Sequence, residues 1–206
     1  FYNDWVIAHE LAHQWFGDKL TCDTFHHIWL NEGWASYSEA LYFEYWLCED
    51  ALHDYMIGES YWGEGTIWIE DPENDNIFDG NLSYRKASWV NHMLRHVVGE
   101  DNFWNAVHAY IGPSEPEYHR TVTTDEYRGF MEEASGMDLQ YFFDQWIMGE
   151  FFPEYAYFWE VESEGGEHTL IVNLLQEQVP DRQTFTMPED LVGTLPFHGD
   201  TTLRLW

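Results

Sequence analysis

The sequence predicts a mainly α-helical domain followed by the start of a small, sandwich-like β domain, and three observations carry that reading. Apolar residues recur at helical spacing, in segments closed by glycine, over about the first 150 positions. Near Phe151 the register changes to alternating stretches separated by Gly, Pro and Asp. A chain of 206 residues that is 45% hydrophobic and 19% aromatic is long and apolar enough to bury a large core, which excludes general disorder. The expected division is 1–151, a helical domain, and 152–206, a β domain.

The first helix starts at Asn3 or Asp4 as N-cap and runs through Val6, Ile7, Leu11, Trp15 and Phe16 until Gly17 ends it. Residues 18–28 connect it to a second helical pattern that carries Glu32, Tyr37, Ala40, Leu41 and Tyr45 to about Leu47. Residues 58–83, rich in Gly, Asp, Asn and Pro, read as a long loop. Helices then resume over 84–98, closed by Gly99, and 101–111, closed by Gly112 and Pro113. Thr123 and Glu126 make a capping-box pattern before a helix closed near Gly136, and Asp138 caps a last one ending at Gly149. Strands follow at 155–162, 169–176, 183–187 and 202–206. Four short strands leave unpaired edges, so the natural domain is expected to continue past Trp206.

The chemistry concentrates in His9-Glu10-Leu11-Ala12-His13 and in Glu32, nineteen residues further on. Positions i and i+4 of a helix lie one above the other, so His9 and His13 can offer two imidazole nitrogens to one metal ion. Glu10, beside the first ligand, points the same way without having to bind, as a general base for water does. By itself this pattern also occurs on plain surface helices. Glu32 strengthens it, because it sits among Trp29, Leu30, Gly33, Trp34 and Ala35, and a buried carboxylate needs a partner or a metal. Glu39, two turns further along the same face, either orients a ligand histidine through its second nitrogen or is an exposed helix carboxylate.

Other polar clusters carry less. Asp71, Glu73, Asp75 and Asp79 do not have EF-hand spacing and read as an ordinary acidic loop, with calcium as the alternative. His26, His27 and His92 have no usable partner spacing and read as core or surface histidines; Trp15, Trp29, Trp34 and Trp89 read as core or cleft wall. Cys22 and Cys48 are too few for a disulfide framework and read as free buried thiols, a single disulfide being the alternative. The charge balance, 8 basic against 38 acidic residues for a net −30, argues against nucleic acid and anionic membranes as partners. Such a surface serves solubility, adaptation to a saline environment or attraction of cationic substrates. No apolar run is long enough to span a bilayer, and both a cytoplasmic and a secreted location stay open, as does the oligomeric state.

Three segments together carry a resemblance. The run from His9 through Gln14-Trp15-Phe16-Gly17-Asp18, with Trp29-Leu30-Asn31-Glu32-Gly33, closely resembles the zinc signature of the aminopeptidase N and leukotriene hydrolase family, the gluzincin metallopeptidases. Tyr84-Arg85-Lys86-Ala87, leading into His92-Met93-Leu94-Arg95, looks like the family's Tyr-x-Lys-Gly helix. Phe143-Asp144-Gln145-Trp146 resembles the point where its helical segment hands over to a β domain. The resemblance covers most of residues 1–176 and implies a thermolysin-like helical subdomain. It implies that His9, His13 and Glu32 bind one Zn2+ per chain, that Glu10 activates water and that the Tyr84 hydroxyl stabilises the oxyanion. Peptides would be the substrates, cleaved at an amino-terminal bond after neutral or basic residues. There are two departures. Ala87 stands where the family has glycine, so the approach of substrate there is expected to differ. The Gly-x-Met-Glu-Asn motif that holds a substrate's free amine has no equivalent in these residues. An endopeptidase, an epoxide hydrolase and a zinc-binding chain without turnover therefore remain alternatives to an aminopeptidase.

Overall fold

The most buried element is α2 (Trp29–Trp46), and the reason is its composition: Trp29, Leu30, Trp34, Ala35, Tyr37 and Ala40 cover more than one face. A helix apolar around most of its circumference must be enclosed. The computed structural model, which describes residues 3–113, 119–179, 182–195 and 199–205, encloses it with α1 (Asp4–Ala12), α3 (Glu49–Gly58) and α4 (Ala87–Val98). The helices α5 (Glu100–Ile111), α6 (Thr124–Ser135) and α7 (Gln140–Trp146) complete the core. Trp34 lies at its centre, stacked on Phe16 at 4.5 Å and edge-on to Tyr127 at 6.0 Å. The molecule is mainly helical, as expected.

The crossing of α2 and α4 depends on two small residues. A Cβ placed on Gly33 would stand 2.6 Å from the Cβ of Ala87, so the helices approach too closely for any larger pair. Ala87 is fully buried in this contact. It faces α2 rather than a substrate, which corrects the expectation that its methyl group alters substrate approach.

Several boundaries differ from the sequence reading. Helix α1 closes at Ala12 rather than Gly17, and the chain turns back through Gly17, whose φ of +144° suits glycine. Its apolar residues are not a buried face: Ile7, Leu11 and Trp15 are exposed. Helix α3, over residues to which the sequence reading gave no element, buries Leu52 and Met56 one turn apart. The helix expected from residue 84 begins earlier, as a wide π turn over Gly80–Lys86, because the Asp79 carboxylate accepts from the amides of Asn81 (2.9 Å) and Leu82 (3.0 Å). Thr123 caps α6 through the Glu126 amide at 3.2 Å, but the Glu126 side chain bonds Arg120 instead of completing the box. Helix α7 ends at Trp146, before Gly149, with Asp138 accepting from the Gln140 amide at 3.1 Å.

Two short parallel strands, β1 (Leu20–Cys22) and β2 (Arg120–Val122), join segments a hundred residues apart. Beyond the helices, β3 (Tyr155–Glu164) and β4 (Glu167–Gln176) form one antiparallel hairpin, and β5 (Glu189–Leu195) and β6 (Gly199–Leu205) a second. Residues 183–187 are not a strand. Phe185 is buried against Trp146, its amide donates to the Gln176 side chain at 2.7 Å, and the Gln183 side chain donates to the Gln145 carbonyl at 2.8 Å. Side-chain amides take the place of a ladder there, and the ladder moves to β5 and β6. The expected strand end at Trp206 lies outside the described residues.

Candidate active site

The end of α1 and the start of α2 build the site. His13 is the C-cap of α1, still helical at φ −60° and ψ −18°, with its amide donating to the His9 carbonyl at 3.3 Å. The i, i+4 relation therefore survives although the helix closes one residue earlier. Gly17 lies against this ring, and a Cβ there would come within 3.2 Å of His13 Nδ1. Glu32 sits in the first turn of α2, where helix-end amides favour negative charge, and is 8% exposed.

Both rings are fixed by their outer nitrogens. His9 Nδ1 lies 2.6 Å from a Glu39 oxygen, and His13 Nδ1 lies 2.9 Å from the Phe16 carbonyl. Both outer nitrogens face acceptor oxygens, so each Nδ1 carries a proton, and Nε2 is the atom of each ring that can bind a metal once its own proton is displaced. The two Nε2 atoms stand 3.6 and 3.5 Å from the same Glu32 oxygen. That is long for a hydrogen bond, but close to the edge of about 3.3 Å expected between ligands of a tetrahedral zinc bound at about 2.0–2.1 Å. Among the described residues, this is the only group of three or more potential ligand side chains drawn so closely together. The donor set fits zinc. Glu39, one of the two readings of which was an exposed carboxylate, is instead buried and bonded to the His9 ring.

The electrostatics follow from the same contacts. Burial lowers the His9 pKa, but the carboxylates of Glu32 and Glu39 outweigh it and raise the group to about 9. Burial opposes ionisation of Glu32, yet the two imidazoles hold it down at about 2. Without a metal, the cluster thus retains a charged carboxylate against shared positive charge.

A cleft of about 780 Å³ opens beside His9, lined also by Glu10, Tyr84, Glu39, Tyr55 and Arg85. Glu10 is exposed and lines it. The Tyr84 ring lies nearly parallel to His9, with centroids 6.0 Å apart. Burial, then Glu32 and Glu10, push its hydroxyl well above the usual tyrosine range, so it stays a proton donor. Lys86 faces away from the chemistry. Its ammonium donates to the carbonyls of Gly65 and Gly149 at 3.0 and 2.9 Å, and burial lowers its pKa to about 8.

The remaining polar residues have structural partners. His26 lies 2.5 Å from the Ile69 carbonyl, His27 2.9 Å from the Thr124 hydroxyl, and Tyr37 reaches toward His92. Asp71, Asp75 and Asp79 satisfy amides of their own loop. Cys22 and Cys48 are both free; Cys22 is buried, and Cys48 is exposed, against expectation. Tyr55 belongs to the site and had no signal in the sequence, since its partner Glu39 lies on another helix.

Residues 2–146 match the peptidase family M1 domain. Aminopeptidase N of Lactococcus lactis is 30% identical over 184 residues, which cover 83% of this chain and 21% of that protein. An M1 zinc metallopeptidase from Deinococcus radiodurans, solved with a Tyr-Ser-Ala substrate, superposes with a TM-score of 0.57 at 27% identity over 70% of this chain and 32% of its own. The fold extends further in an aminopeptidase A from Legionella pneumophila, with a TM-score of 0.75 at 20% identity over 98% of this chain and 23% of that one. The chain thus spans about a fifth of the length of the curated relatives it matches. With the matched region running through both halves of the His9, His13 and Glu32 cluster, the chain belongs to peptidase family M1, the family of zinc metallopeptidases and aminopeptidases.

Proposed function

We propose that this chain is the catalytic part of a zinc aminopeptidase, in which His9, His13 and Glu32 hold one zinc ion, Glu10 is the general base and Tyr84 the oxyanion donor. On this reading residues 1–151 are the helical catalytic domain and 152–206 belong to a β domain. The observation that carries it is the convergence of two imidazole Nε2 atoms and one carboxylate oxygen, each ring locked by its other nitrogen. When bound, zinc supplies Lewis acidity toward water and the scissile carbonyl. Glu10 takes the proton from the attacking water and returns it to the leaving amine. Tyr84 donates a hydrogen bond to the carbonyl oxygen as negative charge gathers there, and its raised pKa keeps that proton in place. Glu39 holds His9 in the tautomer that leaves Nε2 free. The substrates on this reading are peptides with a free amino terminus.

The test begins with zinc content of the chain purified without added metal. About one equivalent is expected. In a form that hydrolyses amino-terminal peptide bonds, Glu10→Gln should retain that zinc while lowering turnover at least about 100-fold. A folded chain that takes up no zinc, or a Glu10→Gln variant with undiminished turnover, would refute the assignment.

A further inference from the structure

We infer that Tyr55 is a positioning residue for the metal site, acting on His9 through Glu39. The inference rests on the zinc reading above, since it concerns how one ligand ring of that site is held.

Glu39 is a carboxylate only 6% exposed. Among the described residues it has two hydrogen-bond partners, one on each oxygen: Oε1 takes the His9 Nδ1 proton at 2.6 Å, and Oε2 accepts from the Tyr55 hydroxyl. A single bond would leave the carboxylate free to turn about its last torsion, carrying the His9 proton acceptor with it. A second bond on the other oxygen fixes its plane, and with it the plane of the imidazole. It also satisfies a buried oxygen that water would otherwise have to reach. Tyr55 is held in turn by its ring, tilted against Phe43 with centroids 5.0 Å apart. The three groups come from three helices: Tyr55 from α3, Glu39 from α2 and His9 from α1. The α3 helix therefore connects to the ligand set through Glu39, although no residue of it binds the metal.

Tyr55 also lines the cleft, so a role in touching substrate has to be separated from a role in holding Glu39. The experiment measures the zinc dissociation constant by chelator competition for the wild-type chain, Tyr55→Phe, Glu39→Ala and the double variant, together with the zinc-free melting temperature of each. Tyr55→Phe keeps the ring and removes only the hydroxyl. It is expected to raise the dissociation constant about tenfold, the lower end of what outer partners of metal ligands contribute, with only a small fall in the zinc-free melting temperature from the buried oxygen that loses its donor. In the Glu39→Ala background the same change is expected to have less than about a twofold effect, because the residue it acts through is gone. Unchanged zinc affinity in Tyr55→Phe would overturn the inference, and so would an equal loss in both backgrounds. Should Tyr55→Phe lower the zinc-free melting temperature by more than this, Phe43→Leu loosens the same packing and keeps the hydroxyl; an equal loss of zinc affinity there would reduce Tyr55 to packing and overturn the inference as well. A wild-type chain that binds no zinc would remove the zinc reading and this role together, whereas zinc-binding wild type with an unaffected Tyr55→Phe removes this role alone.

Discussion

Glu32 and Tyr84 are held in opposite states by the same surroundings. Two imidazoles keep the Glu32 carboxylate ionised despite its burial, and that ionised carboxylate, together with burial, keeps the neighbouring Tyr84 hydroxyl protonated. The pairing suits a donor that has to meet developing negative charge. Tyr84→Phe is therefore expected to lower turnover by about 10²–10³-fold with zinc content unchanged, since an oxyanion donor acts in the transition state rather than in metal binding. Steady-state kinetics beside zinc analysis would check it, and unchanged turnover would remove the role. At this scale much was legible in the sequence: His9, Glu10 and His13 are related by the helical period alone, and Glu32 stood out as an acid among apolar residues. Tyr55 was not, because nothing in its spacing from Glu39 predicts that two different helices bring them together.

At the scale of elements, the crossing of α2 and α4 sets how Tyr84 stands over His9, because Tyr84 lies in the π turn that leads into α4. The contact between Gly33 and Ala87 has no room for another methyl group. Gly33→Ala is expected to destabilise the fold by about 1–3 kcal/mol through overpacking, measured by urea denaturation. Combining it with Ala87→Gly should recover part of the loss, although the Ala87 backbone, 3.1 Å from the added carbon, still crowds it. Additive losses in the double variant would refute the steric account. The positions of α2, α5 and α6 followed from apolar period and punctuation. Residues 183–187 were misread because alternation signals a strand only where a partner strand is available, and here the side-chain oxygens of Gln176 and Gln145 accept from the Phe185 and Thr186 amides.

For the whole molecule, stability against pH joins the core to the net charge of −30. His92 packs among Trp89, Tyr37 and His53, with Arg95, Glu44 and His96 nearby, and burial lowers its pKa to about 4. The unfolded chain takes up this proton near the ordinary histidine value of 6.5, so the fold loses stability as pH falls from 6.5 to about 4. Carboxylate protonation and the relief of charge repulsion act over the same range, but they are common to the wild type and a His92→Phe variant. Relative to wild type, that variant is expected to gain up to about 2–3 kcal/mol between these limits, read from melting curves at each pH. A difference that does not change with pH would show that His92 protonates as freely in the fold as outside it.

The sequence by itself determined the helical class, the ligand residues to be tested and the family resemblance, because each rests on local periodicity or on residues close along the chain. Only the tertiary structure decided that Glu39 is buried against His9, that Ala87 meets Gly33 rather than substrate, that β1 pairs with β2 across a hundred residues, and that Tyr55 completes the site. Each of these is a contact between elements far apart in sequence. Such contacts are selected by packing, which the order of residues along one strand or helix does not encode.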